Sequence, residues 1–532
     1  MRFDYVVVGA GSAGCVVANR LVRDRHASVL LLEAGGDNRQ MLIDMPAGAF
    51  KILFSDSPLI TRLESSPQPS LDGRKIVVDQ AKVLGGGSSV NALAYTRGAR
   101  ADYESWNRAA NGGWGWDDLL PYFIRQEGNQ RFSGPTHGAS GPWKVSDAIN
   151  VCRSSELFVE TLQAMGVSPN PDFNSGQESG VGWFQTSTYH AKRCSAANAF
   201  IDPIRDDRRL TISTLSTATR LLFKGGRALG VEYTKGGAVH HAYADEAVIL
   251  TAGAYQTPKL LMLSGIGPAD HLKTLKIEVR EDLPGVGQNM LDHNMIGVAA
   301  YTNGQYGYFG ADRFPQVIGH FLRYVLFGKG PIASNGSEST AFINLDSKSE
   351  EPHLQIYNVG TMWLRPGQGK PSHGITLMAN LLKPKSRGSM ALRSSNPLDP
   401  PMISPNYLSH EDDLALSIRG FRYLREILKS RPLADIVDRE VVPGVEVDSD
   451  EQIAAYCKAN TRTNHHPVGS CRMGTDNDPF AVVDPALKVR GIEGLFIFDA
   501  SVFPDIPSAN TNATVMAVAD KGVTTMIEKR SG

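Results

Sequence analysis

Residues whose types could do proton chemistry include His465, His466 and Asn510, near the carboxyl end of the chain. A neutral histidine ring can accept a proton near neutral pH because its unperturbed pKa is about 6.5. The amide of Asn510 can donate a hydrogen bond to a negatively charged oxygen, but it cannot act as a base. Together they could remove a proton from a hydroxyl group and hold the remaining oxygen.

Each of these residues also has a simpler interpretation. The chain contains 13 histidines, so a single histidine carries little weight. Either His465 or His466 could point into a cavity from a tight loop, and local sequence does not rank them. Asn510 precedes an apolar helix predicted over 513–519, and asparagine is common as a helix cap.

The elements that would position these residues begin at the amino terminus. Residues 5–8 form an apolar, β-branched run that predicts a buried parallel strand. Gly9, Gly11 and Gly14 follow in the spacing G-x-G-x-x-G, then a predicted helix and a second strand that ends at Glu33. This arrangement predicts a dinucleotide site, with phosphates at the helix start and a ribose at Glu33. The motif alone does not separate FAD from NAD, and a glycine turn without ligand is the alternative.

Two further segments could approach a ligand closely. Residues 81–91 contain three glycines and two serines, which can bring several N–H groups and hydroxyls against one ligand. Taken alone, this segment could also be a flexible surface loop. Residues 253–267 follow an apolar strand, and Thr257–Pro258 predicts the start of a helix that ends near Gly265.

Length, charge and cysteine content narrow the class of protein. A chain of 532 residues predicts two domains. Lys and Arg number 54 against 55 Asp and Glu, which argues against nucleic acid as a partner. Five cysteines without a C-x-x-C motif argue against a disulfide framework or a metal site.

The sequence also suggests a location. No run approaches the roughly 18 to 20 apolar residues that span a bilayer, and the first residues do not resemble a signal peptide. We therefore expect a cytoplasmic protein, and peripheral contact with the inner face of the membrane stays open.

Taken together, these segments resemble the glucose–methanol–choline (GMC) oxidoreductase family. The resemblance spans nearly the whole chain, and its overall texture is most similar to bacterial alcohol, choline, L-sorbose and polyethylene-glycol dehydrogenases. The matching motifs lie at residues 81–104, 253–267, 283–289, 291–293, 466–474 and 510–513.

The resemblance implies an α/β fold with a Rossmann-type FAD-binding domain and a substrate domain built on an antiparallel sheet flanked by helices. We expect the discontinuous FAD domain at 1–145, 205–300 and 470–532, and the substrate domain at 146–204 and 301–469. Some members carry a histidine that binds the flavin covalently where this chain has Val90, so non-covalent FAD is expected.

The expected FAD contacts come from the glycine turn, the Gly/Ser segment, three strand ends, position 218 and the start of the last helix. They are Gly9, Gly11, Ser12, Ala13, Gly14, Glu33, Ala34, Gly85, Gly86, Gly87, Ser88, Asn91, Ala218, Ala252, Gly253, Asp499, Ala500, Asn510, Thr511 and Asn512.

The resemblance also ranks the candidates for chemistry. His466 matches the family's His-Pro-x-Gly motif, and Asn510 stands where members carry His or Asn. The implied reaction is oxidation of an alcohol to an aldehyde or ketone, with His466 as base, Asn510 orienting the oxygen and hydride passing to flavin N5. A flavin-containing lyase of the same fold, using His466 for acid–base chemistry only, is the alternative. A dinucleotide-binding sensor is a third, and it leaves the His466 and Asn510 pair unexplained.

The substrate side is less specific. A strand predicted over 353–357 makes Gln355 and Tyr357 weak pocket candidates, with His465 and Asn335 beside them and Glu338 weaker still. The pattern of residues 316–327 predicts an amphipathic helix. Such a helix would pack in the core of the substrate domain, cover the substrate as a lid or present a surface that touches a membrane. Quaternary-ammonium, neutral and sugar alcohols all remain compatible, and the electron acceptor (oxygen, a quinone or another) is not specified.

Overall fold

Two large sheets organise the computed structural model, which describes residues 1–346, 351–365 and 367–531. The α-helices of these residues are α1 (Ser12–Asp24), α2 (Met41–Asp44), α3 (Gly48–Leu53), α4 (Arg100–Ala110), α5 (Trp116–Gln126), α6 (Arg153–Ala164), α7 (Gly253–Leu263), α8 (Ala269–Thr274), α9 (Gln316–Phe327), α10 (Glu411–Lys429), α11 (Asp450–Asn460) and α12 (Asn512–Ser531).

The first sheet is parallel at its centre and antiparallel at one edge. Its central residues 5–8 and 29–32 are buried, which explains their nearly uninterrupted apolar sequence. In spatial order the strands are Leu210–Ser213, Val29–Leu32, Arg2–Val8, Ala238–Leu250, Arg227–Lys235 and Ser216–Lys224, and Leu495–Ile497 pairs with the end of Ala238–Leu250.

The glycine turn fastens α1 to this sheet. Gly9 has a φ of 100°, a left-handed conformation that favours glycine. A Cβ atom on Gly14 would overlap the Gly9 carbonyl oxygen. The helix can therefore approach the strand this closely only if residue 14 has no side chain.

The second sheet is antiparallel, and α10 packs against one of its faces. Its opposite face carries Gln355, Tyr357 and Met378. In spatial order the strands are Val437–Val442, Asn294–Thr302, Gly374–Leu381, Leu354–Val359, Ser339–Ile343 and Gly180–Trp183, and Arg462–Thr463 pairs with the start of Asn294–Thr302.

Short strands complete the described structure. They pair as Ile60–Glu64 with Val77–Ala81, Thr188–Tyr189 with Lys192–Arg193, Ile266–Gly267 with Glu281–Asp282, Ser389–Ala391 with Met402–Ser404, and in one four-stranded set Ala94–Tyr95, Gln185–Thr186, Trp143–Asp147 and Glu127–Asn129. Within the described ranges, no helix is both long and apolar enough to cross a bilayer.

These elements confirm the predicted α/β class and the amphipathic helix, which is α9. The predicted helix start at Thr257–Pro258 is wrong, because α7 begins at Gly253 and contains Pro258. Asp499, distant in sequence, accepts hydrogen bonds from the Gly253 N–H at 2.8 Å and the Thr257 hydroxyl at 2.6 Å. This long-range cap lets the helix begin one turn earlier. The domain boundaries stay a prediction.

Replacing Gly14 with alanine should lower the melting temperature and the flavin content of the purified protein. The added methyl group forces α1 away from the strand, and such overpacking typically costs about 1–3 kcal/mol. Gly226→Ala is the matched control, since a Cβ there has no atom within 4 Å. Equal melting temperatures and flavin contents for the two variants would contradict this account of the turn.

Candidate active site

The Gly/Ser segment packs directly on the first glycine turn. The Gly85 N–H donates to the Ala10 carbonyl at 2.7 Å, and residues Gly86–Ser89 form one 3₁₀ turn. A Cβ on Gly86 would lie 2.6 Å from the Gly11 Cα, so only glycine allows this contact. The segment is therefore built into the interior, which excludes the flexible surface loop.

Two helix amino termini meet beside this contact. The Ser12 hydroxyl, at the start of α1, donates to the Asn512 side-chain oxygen at 2.6 Å, at the start of α12. The N-cap of α1 is Gly11, which has no side chain to occupy the first amides of the helix. Amide N–H groups and the positive ends of two helix dipoles thus converge, as an anionic group requires.

Open space borders this convergence. A Cβ built on Gly11 would have its nearest neighbours at 3.9 and 4.0 Å, and one on Gly87 or Gly253 would meet no atom within 4 Å. Ala13 is buried beneath the turn, and Thr511 precedes α12. These residues therefore form a cradle that fits the phosphates of a dinucleotide.

Glu33 braces the glycine turn. Its carboxylate accepts hydrogen bonds from the Ala10 N–H at 3.0 Å and the Gly35 N–H at 2.7 Å. Burial raises the pKa of Glu33 to about 7. Its carbonyl accepts from the Ser216 N–H at 2.8 Å, which brings the strand that carries Ala218 alongside. Each carboxylate oxygen keeps a second lone pair, so the ribose contact at Glu33 and Ala34 stays a prediction.

Arg193, to which the sequence analysis assigned no role, holds the Gly/Ser segment in place. One guanidinium nitrogen of Arg193 donates to the Ser88 carbonyl at 3.1 Å and to the Asn91 side-chain oxygen at 2.8 Å. The Ser88 hydroxyl accepts from the Ala196 N–H at 2.9 Å. Ser88 and Asn91 therefore shape the cradle.

Asp499 and Ala500 link the dinucleotide side to the loop that carries His466. Besides capping α7, which follows Ala252, Asp499 accepts from the Ser501 N–H at 2.9 Å. The Ala500 carbonyl accepts from the Gly469 N–H at 3.0 Å. The histidine loop is thereby positioned by the strand end that follows Leu495–Ile497.

Proline inside α7 provides a second link. Pro258 has no N–H, so it cannot donate to the carbonyl of Ala254 one turn earlier. The Ser470 hydroxyl donates to that carbonyl at 2.6 Å instead. The Ala254 carbonyl, which receives no hydrogen bond from Pro258, thus holds the loop that contains His466 through Ser470.

The structure brings His466 and Asn510 together. The Asn510 amide nitrogen lies 3.4 Å from Nε2 of His466. The Asn510 side-chain oxygen accepts from the Thr96 hydroxyl and from the Gln355 amide, each at 3.2 Å. These two donors orient the amide so that its N–H groups point to His466. The Asn510 side chain is therefore held facing His466. Helix α12 begins two residues later, at Asn512.

A second histidine sets the protonation of His466. Nδ1 of His466 lies 2.9 Å from Nδ1 of His293, whose Nε2 lies 3.0 Å from the Leu382 carbonyl oxygen. A carbonyl can only accept, so His293 carries its proton on Nε2 and presents a bare Nδ1. His466 must then donate from Nδ1, which leaves a lone pair on its Nε2 beside Asn510.

Burial keeps both rings neutral. It lowers the pKa of His293 to about 4. It also lowers the pKa of His466 well below 6.5, and the neighbouring His293 and His465 act in the same direction. Near neutral pH, Nε2 of His466 is thus an unprotonated acceptor.

Asp292 holds the histidine loop from below. It accepts hydrogen bonds from the His466 N–H at 2.8 Å, from the Thr463 hydroxyl at 2.5 Å and from the Tyr407 hydroxyl. Burial raises the pKa of Asp292 to about 6. Asp292 and His293 belong to a motif that the sequence analysis noticed, but their contacts with His466 were not predicted.

The pocket candidates separate into two groups. Gln355 bonds to Asn510, and the Tyr357 hydroxyl donates at 3.1 Å to Asn464, whose amide nitrogen lies 3.5 Å from Nδ1 of His466. The Asn335 amide instead donates to the Ala92 carbonyl at 3.0 Å. His465 is an exposed residue in the left-handed region, with a φ of 61°. Only the first two contact the network around His466.

The parallel sheet, the glycine cradle and the paired His466 and Asn510 define a dinucleotide-dependent oxidoreductase. Comparison with known proteins specifies it further: profiles described as GMC oxidoreductase match residues 3–295 and 384–519. The chain therefore belongs to the GMC oxidoreductase family, which confirms the resemblance seen in its motifs.

Relatives match along nearly the whole chain. The chain is similar to an alcohol dehydrogenase [acceptor] of Pseudomonas putida, at 38% identity over 99% of this chain and 96% of the relative. It is 37% identical to human mitochondrial choline dehydrogenase, over 98% and 89% of the two chains. A solved formate oxidase from Aspergillus oryzae, described for its FAD modification, superimposes with a TM-score of 0.91 at 26% identity, over 100% and 99% of the chains. These matches support FAD as the dinucleotide.

The protonation pattern can be observed directly. Neutron diffraction from deuterated crystals near neutral pH should show deuterium on Nδ1 of His466 and on Nε2 of His293, with Nε2 of His466 bare. His137 is an internal control: it lies 3.1 Å from Glu127 and 3.0 Å from Asp172, which raise its pKa, so both of its nitrogens should carry deuterium. Deuterium on Nε2 of His466 would contradict the hydrogen-bond chain.

Proposed function

We propose that this chain oxidises an alcohol to an aldehyde or ketone, with His466 as the base and Asn510 as the residue that holds the alcohol oxygen. One observation carries the proposal. The chain of hydrogen bonds from the Leu382 carbonyl through His293 leaves Nε2 of His466 unprotonated, 3.4 Å from an amide nitrogen that can donate. A proton acceptor beside an oxygen-directed donor is what removal of a hydroxyl proton needs.

The cofactor in this proposal is FAD. When bound, FAD supplies the hydride acceptor that alcohol oxidation requires. The glycine turn, the segment Gly85–Ser88, Asp499 and the start of α12 would hold it.

Non-covalent attachment is supported by the residue at position 90. Val90 is buried in an apolar cluster with Ile43, Ile52, Leu59 and Val83. An aliphatic side chain cannot form the bond that a histidine forms there.

The protein's own part in the reaction follows from its contacts. The hydroxyl group of the alcohol donates to Nε2 of His466, which then takes the proton. The Asn510 amide donates to the oxygen as negative charge develops on it, and Thr96 and Gln355 keep the amide in that orientation. The N–H at Nδ1 of His466 keeps its hydrogen bond to Nδ1 of His293 throughout, which fixes the orientation of the ring.

Location and electron acceptor are separate from this chemistry. The carboxyl-terminal part of α9 exposes Val325, Leu326 and Phe327, which supports peripheral membrane contact. A cytoplasmic location stays a prediction. The acceptor is to be identified by supplying oxygen, a quinone or a dye to the reduced protein.

The His466→Ala variant should keep its flavin but lose most of its reduction by alcohol under anaerobic conditions. The flavin should be retained because His466 is not part of the glycine cradle. The rate should fall because a general base typically contributes about 10²- to 10⁴-fold. Flavin content is measured in the supernatant after acid precipitation, which should recover all of it because attachment is non-covalent.

The His465→Ala variant is the matched control and should retain most of the activity. Near wild-type reduction in His466→Ala, or a larger loss in His465→Ala, would overturn the assignment. Product formed from an alcohol without any bleaching of the wild-type flavin would instead favour the lyase.

The rate of flavin reduction at saturating alcohol should stay constant as the pH falls from about 8 through 6.5. The lowered pKa of His466 means that its neutral form persists in this range, so the rate should fall only in more acidic solution. Stopped-flow absorbance of the flavin measures the rate, and tryptophan fluorescence at each pH checks folding. A fall in the rate with its midpoint near pH 6.5, while the protein is still folded, would contradict the lowered pKa of His466.

A further inference from the structure

A large apolar cavity borders the second sheet at Met378, the residue that pairs with Tyr357 across two strands. Its volume is about 1070 Å³, comparable with the largest small-molecule sites. Side chains of α2, α3, α9 and the segment 361–365 line it, together with one face of the second sheet. Apolar side chains dominate the lining, among them Met45, Phe50, Phe321, Leu322, Met362 and Trp363.

His466 and Asn510 are not among the described lining residues, but one lining residue connects the cavity to the network around His466. Met378 lines the cavity and packs against Tyr357 and Met295 in one apolar cluster. Tyr357 in turn reaches Asn464, which lies next to His466. An alcohol could therefore place its hydroxyl at His466 and its apolar body in this cavity, with flexible methionines between them.

The charge inside the cavity is positive. Arg462 lines it, with its guanidinium 4.4 Å from the centre of the Trp363 ring and 3.6 Å from the Met378 sulfur. Within the described residues no carboxylate forms an ion pair with Arg462. Arg365 lines the same cavity, and its guanidinium donates to the carbonyls of Ala459 and Asn460.

The acids nearby do not offset these cations. Asp312 lies on the cavity wall, but it is exposed and pairs with Lys51 at 3.4 Å. Glu338 is fully buried behind the wall, where it accepts hydrogen bonds from the Tyr308, Ser155 and Ser334 hydroxyls. A cationic substrate would thus meet unpaired positive charge and find no free carboxylate in the described lining.

We propose that the cavity selects neutral alcohols with an apolar body and that Arg462 excludes cationic ones. This rests on the proposed function, and it separates the chain from its choline dehydrogenase relatives although 37% of positions are identical to the human enzyme. Apolar lining stabilises a hydrocarbon chain by its burial, and a cation without an ion-pair partner in an apolar cavity repels a quaternary ammonium group. Arg462 is a specificity-determining residue in this view.

The test compares two alcohols that differ in one atom. Choline and 3,3-dimethyl-1-butanol have the same shape, but the first carries a quaternary nitrogen where the second has carbon. Anaerobic flavin reduction of the wild-type holoenzyme should give a kcat/KM at least about tenfold higher for the neutral alcohol, the ratio produced by about 1.4 kcal/mol of repulsion. Linear primary alcohols should gain about two- to fourfold per added methylene until the cavity is full.

The outcomes separate the two proposals. A kcat/KM for choline that equals or exceeds that for 3,3-dimethyl-1-butanol would overturn the proposed substrate class. It would leave the proposal of alcohol oxidation standing. A preference for 4-(hydroxymethyl)benzoate over 4-methylbenzyl alcohol would also overturn it, because Arg462 would then recruit an anion. If no alcohol reduces the flavin, the proposed function itself fails.

Two variants assign the selection to a residue. Arg462→Met keeps an unbranched side chain against Trp363 and should narrow the preference for the neutral alcohol about tenfold, by raising kcat/KM for choline. Lys329→Met removes an exposed cation that is not among the lining residues and should leave the preference nearly unchanged, because water screens it. Equal effects of the two variants would contradict selection by Arg462. If Arg462→Met does not fold, the wild-type comparison still decides the proposal.

Discussion

The hydrogen bond between His293 and the Leu382 carbonyl determines what this site can do. Since a carbonyl oxygen cannot donate, it fixes the proton of His293 on Nε2, and His293 then fixes the proton of His466 on Nδ1. The free lone pair of His466 faces Asn510 as a consequence. A backbone carbonyl just beyond a strand of the second sheet thus sets the protonation of a side chain on a distant loop while both histidine rings stay neutral.

The surrounding structure serves to hold that geometry. Asp292 clamps the backbone of His466, Ser470 anchors its loop to the interrupted helix α7, and Ala500 ties the loop to the first sheet. The site therefore lies where the two sheets meet, because each contributes part of the histidine network. In the proposed reaction the two residues also differ in role: His466 takes the proton, while Asn510 orients and stabilises the oxygen.

Polar residues around His466 and apolar residues of the cavity lie next to each other on one face of the second sheet. Gln355, Tyr357 and Asn464 surround His466 with polar groups. Met378, which packs against Tyr357 on the same sheet face, lines the apolar cavity. Because strand residues alternate between faces, every second residue of Leu354–Val359 can serve this side while the others pack against the opposite layer. Substrate selection can thus change without disturbing the proton acceptor.

The sequence by itself determined the α/β class, the glycine turn, helix α9 and the family, because each depends on local spacing or on motifs within one segment. Local sequence could not rank His466 over His465, and it misplaced the start of α7 because Asp499 lies far away in the chain. Only the tertiary structure decided the protonation of His466 and the isolation of Arg462 in the cavity. Both depend on which groups from distant segments face each other in a low-dielectric interior, and residue spacing carries no information about that.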